Sequence, residues 1–278
     1  HPVLFPIVIL VLVLIGYQLT ESSYESPSIG VVPLNGVILE SESTIKQLRI
    51  LEKMPLIKGI ILHINSPGGA VAPSQEIFSE VLRIKQEKKV YVSISSTAAS
   101  GGYYVAIGAN KIFANPGSMV GSIGAIIQTF NFEELLEKIG VRAEVVKSGK
   151  NKDIGSVFRQ MSQEERSLLE GVINDTHDQF VTAIINNRDM EPKLVREISD
   201  GRVFTGRQAE ELGLIDKLAS FRETAEILKK DLEIDEEIEL YYIPSQEKFL
   251  QSLVDIDSKT LLKNLSNYGG LFFLSPQF

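Results

Sequence analysis

Cysteine and tryptophan are both missing from the 278 residues. Without cysteine there is no disulfide framework, no thiolate nucleophile and no zinc ribbon. Histidine is nearly as scarce. His1, His63 and His177 are the only three, and none is paired at a ligand spacing, so the sequence offers no transition-metal site and calls for no cofactor. Long basic runs are absent as well: 28 Lys and Arg stand against 36 Asp and Glu, a formal charge of -8. That is the wrong electrostatic footprint for a nucleic-acid partner. With 44% hydrophobic and 23% charged residues, the chain has material for one large core or two small ones.

The first twenty residues, "HPVLFPIVILVLVLIGYQLT", carry no Lys, Arg, Asp or Glu. Twenty helical residues rise about 30 Å, the thickness of a bilayer's hydrocarbon core. Residues 1–20 therefore read as a transmembrane anchor. A cleaved signal peptide is the alternative, but no A-x-A-like site follows the run. Residues 21–28 form a polar linker, and 29–278 a single folded domain ending in a charged helical tail. The first basic residue is Lys46, so flanking charge does not orient the anchor.

Beyond the linker, β-rich and helical runs alternate. "IGVVPLNGVIL", "IKGIILHIN" and "KVYVSIS" read as strands, and the segments between them as helices. The pattern argues for an α/β fold built of βαβ units. Further strands are expected near "KIFAN", "IGAIIQTF" and "RAEVVKS", with helices at "GGYYVAIGA" and "FEELLEKIG". Ser162, with Glu165 three positions on, opens a long helix as a capping box. His63, inside "GIILHIN", and His177, inside the long helix, read as packed core residues.

Three stretches carry residues suited to chemistry. In "NSPGGAV", Gly68 and Gly69 fall in a turn between strand and helix, where backbone N–H groups are free to hold an oxyanion; an ordinary turn would use the same residues. No Lys follows these glycines, as a phosphate loop would require. In "STAASGGYYV", Ser100 is preceded by small residues and followed by Gly101 and Gly102. The N–H groups of those glycines would be free donors at a helix start, within reach of a substrate carbonyl. Ser100 is thus either a nucleophile or a plain N-cap. A serine nucleophile needs a base, and neither internal histidine lies in a loop. A lysine serves if its pKa falls from about 10.4 toward roughly 7–8, a bias of about 4 kcal/mol. "VVKSGKNKDIGS" offers Lys147, Lys150 and Lys152, among which composition does not choose.

Taken together, "NSPGG", "AASGGYY", "PGSMVGSIGA", "KSGKNKDIGS" and "DGRVFTGRQAEELGLID", in that order over residues 59 to 216, resemble the signal peptide peptidase A family of Ser-Lys membrane peptidases. The resemblance implies a fold similar to Clp protease and crotonase, with repeated ββα units. It implies a single-pass membrane protein whose catalytic domain lies on the extracytoplasmic side, and peptide substrates such as remnant signal peptides and other short hydrophobic segments. By the same resemblance Ser100 is the nucleophile, Lys152 the general base with Lys147 as runner-up, and Ser122 the hydroxyl that steadies the lysine. Gly69 and Gly101 become the oxyanion donors, and Gly68 and Gly121 flank the substrate strand. Longer members carry two tandem copies, with lysine and serine in different repeats. A single-copy chain is then expected to form a homo-oligomeric, octameric ring whose sites are shared between protomers.

Two other classes share parts of this pattern. A crotonase-type acyl-CoA enzyme would have the glycine loops, but should be soluble and place carboxylates near them. A catalytically inactive scaffold would bind peptides without cutting them. A Clp-type triad is excluded, because "GSIGAIIQTF" at 121–130 lacks the histidine it needs.

Overall fold

The computed structural model describes residues 28–235 and 239–243. The anchor read at 1–20, the linker read at 21–28 except for Ser28, and the tail from residue 244 on lie outside the described residues; Ser28 opens the first strand rather than closing the linker. Among the described residues no helix is long and apolar enough to cross a membrane.

Three long strands form the centre: β1 (Ser28–Ile38), β2 (Ile57–Gly69) and β3 (Lys89–Ala99). They are parallel neighbours, with α1 (Glu42–Lys53) and α2 (Val71–Ile84) as crossovers. "GIILHI" in β2 is almost wholly apolar because both faces of the strand are covered. Ile60, Leu62 and Ile64 enter the main core against the helices, whereas Ile61 points to a smaller cluster on the opposite face with Ile29, Tyr91 and Phe113. Burying each such side chain contributes about 1.5–3 kcal/mol.

At β3 the sheet forks. Its first half, Tyr91–Ile94, pairs with β4 (Lys111–Ala114), and its last three residues, Thr97–Ala99, pair with β5 (Met119–Gly121). Between them lies α3 (Gly101–Ala106). The long helix α5 (Gln163–Asn187), which follows the short helix α4 (Glu133–Lys138), opens on the expected capping box of Ser162 and Glu165. Then come α6 (Pro192–Ile198), β6 (Val203–Thr205), α7 (Gly206–Glu211), β7 (Lys217–Leu218), α8 (Phe221–Asp231) and β8 (Glu239–Tyr242). In the resulting eight-stranded sheet only the β5–β6 pair is antiparallel.

Three expectations are corrected. Residues 123–130 and 142–148 are not strands: the first leaves the sheet after β5, and Ile126 and Val146 are 86% and 102% exposed. Their apolar pattern signals a need for cover, but among the described residues no strand pairs with them. Gly68 and Gly69 are also not a free turn. β2 runs on through them, paired with Val37 and Ile38 of β1 after a register shift at Asn35/Val37.

Candidate active site

The C-terminal ends of β1, β2, β3 and β5 converge on one point. Ala99 and Gly121 are the last paired residues of β3 and β5, so Ser100 and Ser122 leave neighbouring strands side by side. Both have positive φ, 51° and 49°, rare for a residue with a side chain. Main-chain bonds hold them there: Ser100 N–H donates to Gly121 O at 2.8 Å, and Ser122 N–H to Arg202 O at 2.8 Å. Ser100 thus sits on a strained strand-to-helix turn, the geometry that presents a nucleophile's Oγ above a sheet. Its place before α3 is that of an N-cap, yet its hydroxyl makes no capping bond and no other hydrogen bond among the described residues. The plain N-cap reading therefore fails.

The glycines are fixed by the same crowding. Gly68 has φ +99°, and a Cβ there would stand 2.6 Å from Gly101 N and 2.8 Å from Ser100 Cβ. A Cβ on Gly101 would strike Ser74 Oγ and lie 3.3 Å from Gly69 N; one on Gly69 would strike Ile38 O. The N–H groups of Gly69 and Gly101 therefore occupy one small space next to Ser100. The Gly101 N–H opens α3, so it has no acceptor within the helix. Ser66, fully buried, braces this loop: its hydroxyl donates to Gly36 O at 2.6 Å and accepts from Gly68 N–H at 3.1 Å. Gly121, φ +101°, packs over the Phe204 ring.

The three loop lysines differ in their surroundings. Lys147 is paired with Asp153 at 2.5 Å and Lys150 with Glu164 at 2.5 Å. The Lys152 ammonium has no hydrogen bond or ion pair among the described residues, and its side chain is exposed. No hydrogen bond joins it to Ser100 or Ser122 within the chain. The histidines are elsewhere: the His63 ring packs on Phe221 with centroids 4.7 Å apart, its pKa lowered by burial, and His177 lies on α5 with Nε2 buried and unpaired.

Sequence comparison decides the family. The model of Peptidase family S49 matches residues 83–235, and that of Clp protease residues 37–128. The chain belongs to peptidase family S49. Its α/β sheet is accordingly of the Clp protease kind, and its family activity is peptide hydrolysis. A protein of Synechocystis sp. provisionally named protease slr0021 is 37% identical, over 81% of this chain and 82% of its own. One from Enterococcus faecium, provisionally named signal peptide peptidase SppA, is 33% identical over 81% and 71%. The chloroplastic serine protease SPPA of Arabidopsis thaliana is 32% identical over 72% of this chain and 30% of its own length. The S49 match includes both the Ser100 turn and the loop carrying Lys152.

One group escaped the sequence reading. Arg159 bridges Asp153 and Glu165, and so ties the lysine loop to α5. A lone arginine has no sequence signature; the neighbouring capping box was the available clue.

Proposed function

We propose that this S49 peptidase is a membrane-anchored serine endopeptidase with a Ser-Lys dyad. The observation that carries the reading is the free Ser100 hydroxyl on its strained turn beside the Gly69 and Gly101 N–H groups. Ser100 Oγ attacks the peptide carbonyl while its proton passes to the neutral Nζ of Lys152, and the two N–H groups hold the oxyanion. Collapse breaks the C–N bond, and the lysine returns the proton to the leaving amine. Water then attacks the acyl-enzyme, again through the lysine, and frees the acid and Ser100. Ser122, beside Ser100, orients the ammonium. The serine in the name of the Arabidopsis relative agrees with this chemistry.

Lys152 comes to the site from a neighbouring protomer. In its own chain it is exposed and unpaired, on a stretch from Gly124 to Glu164 in which no residue is buried and Ile126, Phe130, Val145 and Val146 are open to solvent. Such a stretch gains cover by self-association. A closed ring would also restrict the sites to unfolded chains.

The substrates are hydrophobic peptides, remnant signal peptides among them, laid as an extended strand between Gly68 and Gly121. Exposed Val37, Leu39, Val71 and Met119 adjoin these glycines in sequence or register and suit apolar side chains. The name of the Enterococcus relative points the same way. With residues 1–20 as the anchor, the catalytic domain works on the extracytoplasmic side of the membrane.

Two inactive proteins, Ser100→Ala and Lys152→Ala, provide the test when mixed and allowed to exchange subunits. Regained hydrolysis is expected. Mixtures that stay inactive although hetero-oligomers form would refute sharing. Failure of the wild type to react with a fluorophosphonate at Ser100 would refute the serine mechanism and favour the acyl-CoA or scaffold readings.

A further inference from the structure

A stretch without buried residues has little apolar packing to fix its shape, and ordering it costs about 1–2 kcal/mol per residue of backbone entropy. From Gly124 to Glu164 polar contacts must do that work. Phe132 N–H donates to Val157 O at 2.7 Å, and Gln160 N–H to Glu133 Oε2 at 2.7 Å. The densest contacts surround one side chain. Arg159 Nε and Nη2 grip the two carboxylate oxygens of Asp153, each at 2.9 Å, and Nη2 also donates to the Asp153 carbonyl at 3.3 Å. On its other edge Nη1 donates to Glu165 Oε2 at 2.8 Å, and Nη2 reaches the second Glu165 oxygen.

Each partner is fixed in turn. Glu165 is only 4% exposed. It belongs to the capping box, accepting from Ser162 N–H at 2.9 Å and donating its own N–H to Ser162 Oγ at 3.2 Å. The helix it opens is rooted in the main core by Phe180, Val181 and Ile184. Asp153, the residue after Lys152, also takes the Lys147 ammonium. That ion pair closes the neck of the loop 147–153, and within it Lys152 N–H donates to Gly149 O at 3.1 Å. A continuous path of bonds therefore runs from the core through α5, Glu165, Arg159 and Asp153 to the backbone of Lys152.

We propose that Arg159 is a positioning residue for Lys152: its two-sided grip on Asp153 and Glu165 sets where the loop delivers the lysine ammonium. The proposal rests on Lys152 being the base. Arginine suits the task because its planar fork binds two carboxylates at fixed angles, which a lysine's point charge does not.

The experiment measures kcat, KM, oligomer size and melting temperature for the full-length chain carrying Arg159→Lys, Arg159→Ala or Asp153→Asn, with Lys152→Ala alongside. A base displaced by about an ångström costs up to about 100-fold. We therefore expect kcat to fall at least about 10-fold in each clamp variant, with KM within about twofold and the oligomer intact. Millimolar methylguanidinium should restore part of the activity of Arg159→Ala. Glu164→Gln, which releases only the exposed Lys150, serves as the unaffected control. Should Arg159→Ala fail to fold, Arg159→Lys decides, since it keeps the charge and loses the fork. Wild-type kcat in both Arg159→Lys and Asp153→Asn, with Lys152→Ala inactive, overturns the clamp and leaves the base reading standing. So does a loss of activity that merely follows loss of assembly. An active Lys152→Ala overturns the base reading itself, and the clamp with it.

Discussion

Ser100 donates its backbone N–H to the carbonyl of Gly121 at 2.8 Å, so the proposed nucleophile is fastened to the residue immediately before Ser122. The two hydroxyl residues share one strand junction, and a change in the path of β5 moves both. The consequences of that junction are testable.

The backbone strain at Ser100 predicts an order of stabilities. A side chain at φ 51° costs about 1–3 kcal/mol, and glycine escapes most of it. Ser100→Gly should therefore melt a few degrees above Ser100→Ala, and both should be inactive. Thermal denaturation of the two variants checks this, and the reverse order would mean that the turn is unstrained.

Gly68 should tolerate nothing larger. Its added Cβ would meet Gly101 N and Ser100 Cβ at 2.6 and 2.8 Å, at φ +99°. Gly68→Ala is expected to lose at least about 2 kcal/mol of stability and more than about 100-fold in kcat/KM through displacement of the oxyanion donors. Denaturant melts together with peptide hydrolysis measure both.

Acid should open the clamp around Arg159 only below about pH 5. Hydrogen bonds from Arg159 first and Lys147 second hold the Asp153 carboxyl well below the usual carboxylate range, and Arg159 holds Glu165 at about 2. A depressed carboxyl contributes its stability above its unfolded value, about 4, and loses it only as pH falls through the folded value. The network thus remains ionised above about pH 5. The wild type should therefore melt above Asp153→Asn by a constant margin at pH above about 5, and that margin should shrink as pH falls toward 2. Melting temperature against pH for the two proteins checks this, and a margin that already shrinks above pH 5 would mean that the carboxyls are not depressed.

On α2, Glu80 is held at about 2 chiefly by hydrogen bonding to Arg49, with Arg83 adding to it. Both arginines are half exposed, and screening cuts the linked stability to about 1–2 kcal/mol. Glu80→Gln should lose that much at pH 7. It should also reduce, by the same amount, the fall in stability that the wild type shows as pH drops from about 5 toward 2. Melting temperature against pH for both proteins tests the claim.

Val146→Asp and Ile126→Asp should leave the protomer's melting temperature nearly unchanged, because both side chains are already in solvent. In the proposed assembly they should reduce oligomer size and activity together. Light scattering beside a hydrolysis assay checks this, and full activity in a dissociated variant would exclude a shared site.

The candidate site was legible in part, because close approach leaves small residues in the sequence. Gly68, Gly69 and Gly101 stand where a Cβ would meet neighbouring atoms, although the partners that crowd them, Ile38 and Ser74 among them, lie far off in the chain and the turn read at Gly68 and Gly69 is a paired strand. The Ser162–Glu165 box was readable because cap and acceptor lie three residues apart. What resisted reading depends on distant partners. "IGAIIQTF" and "RAEVVKS" have apolar residues that suit strands, yet neither finds a neighbouring strand among the described residues. The division of β3 between β4 and β5, and the hold of Arg159 on two carboxylates, arise only once the chain has folded.

The parallel direction of the central strands has one more consequence. β1 enters the sheet at Ser28 and reaches the glycine junction at Ile38, and at about 3.3 Å per residue those ends are roughly 30 Å apart. The chain therefore enters the sheet at the end remote from Ser100, so that whatever is attached ahead of Ser28, the proposed anchor included, joins the domain away from the glycine junction and leaves the mouth of the candidate site clear of its own point of attachment.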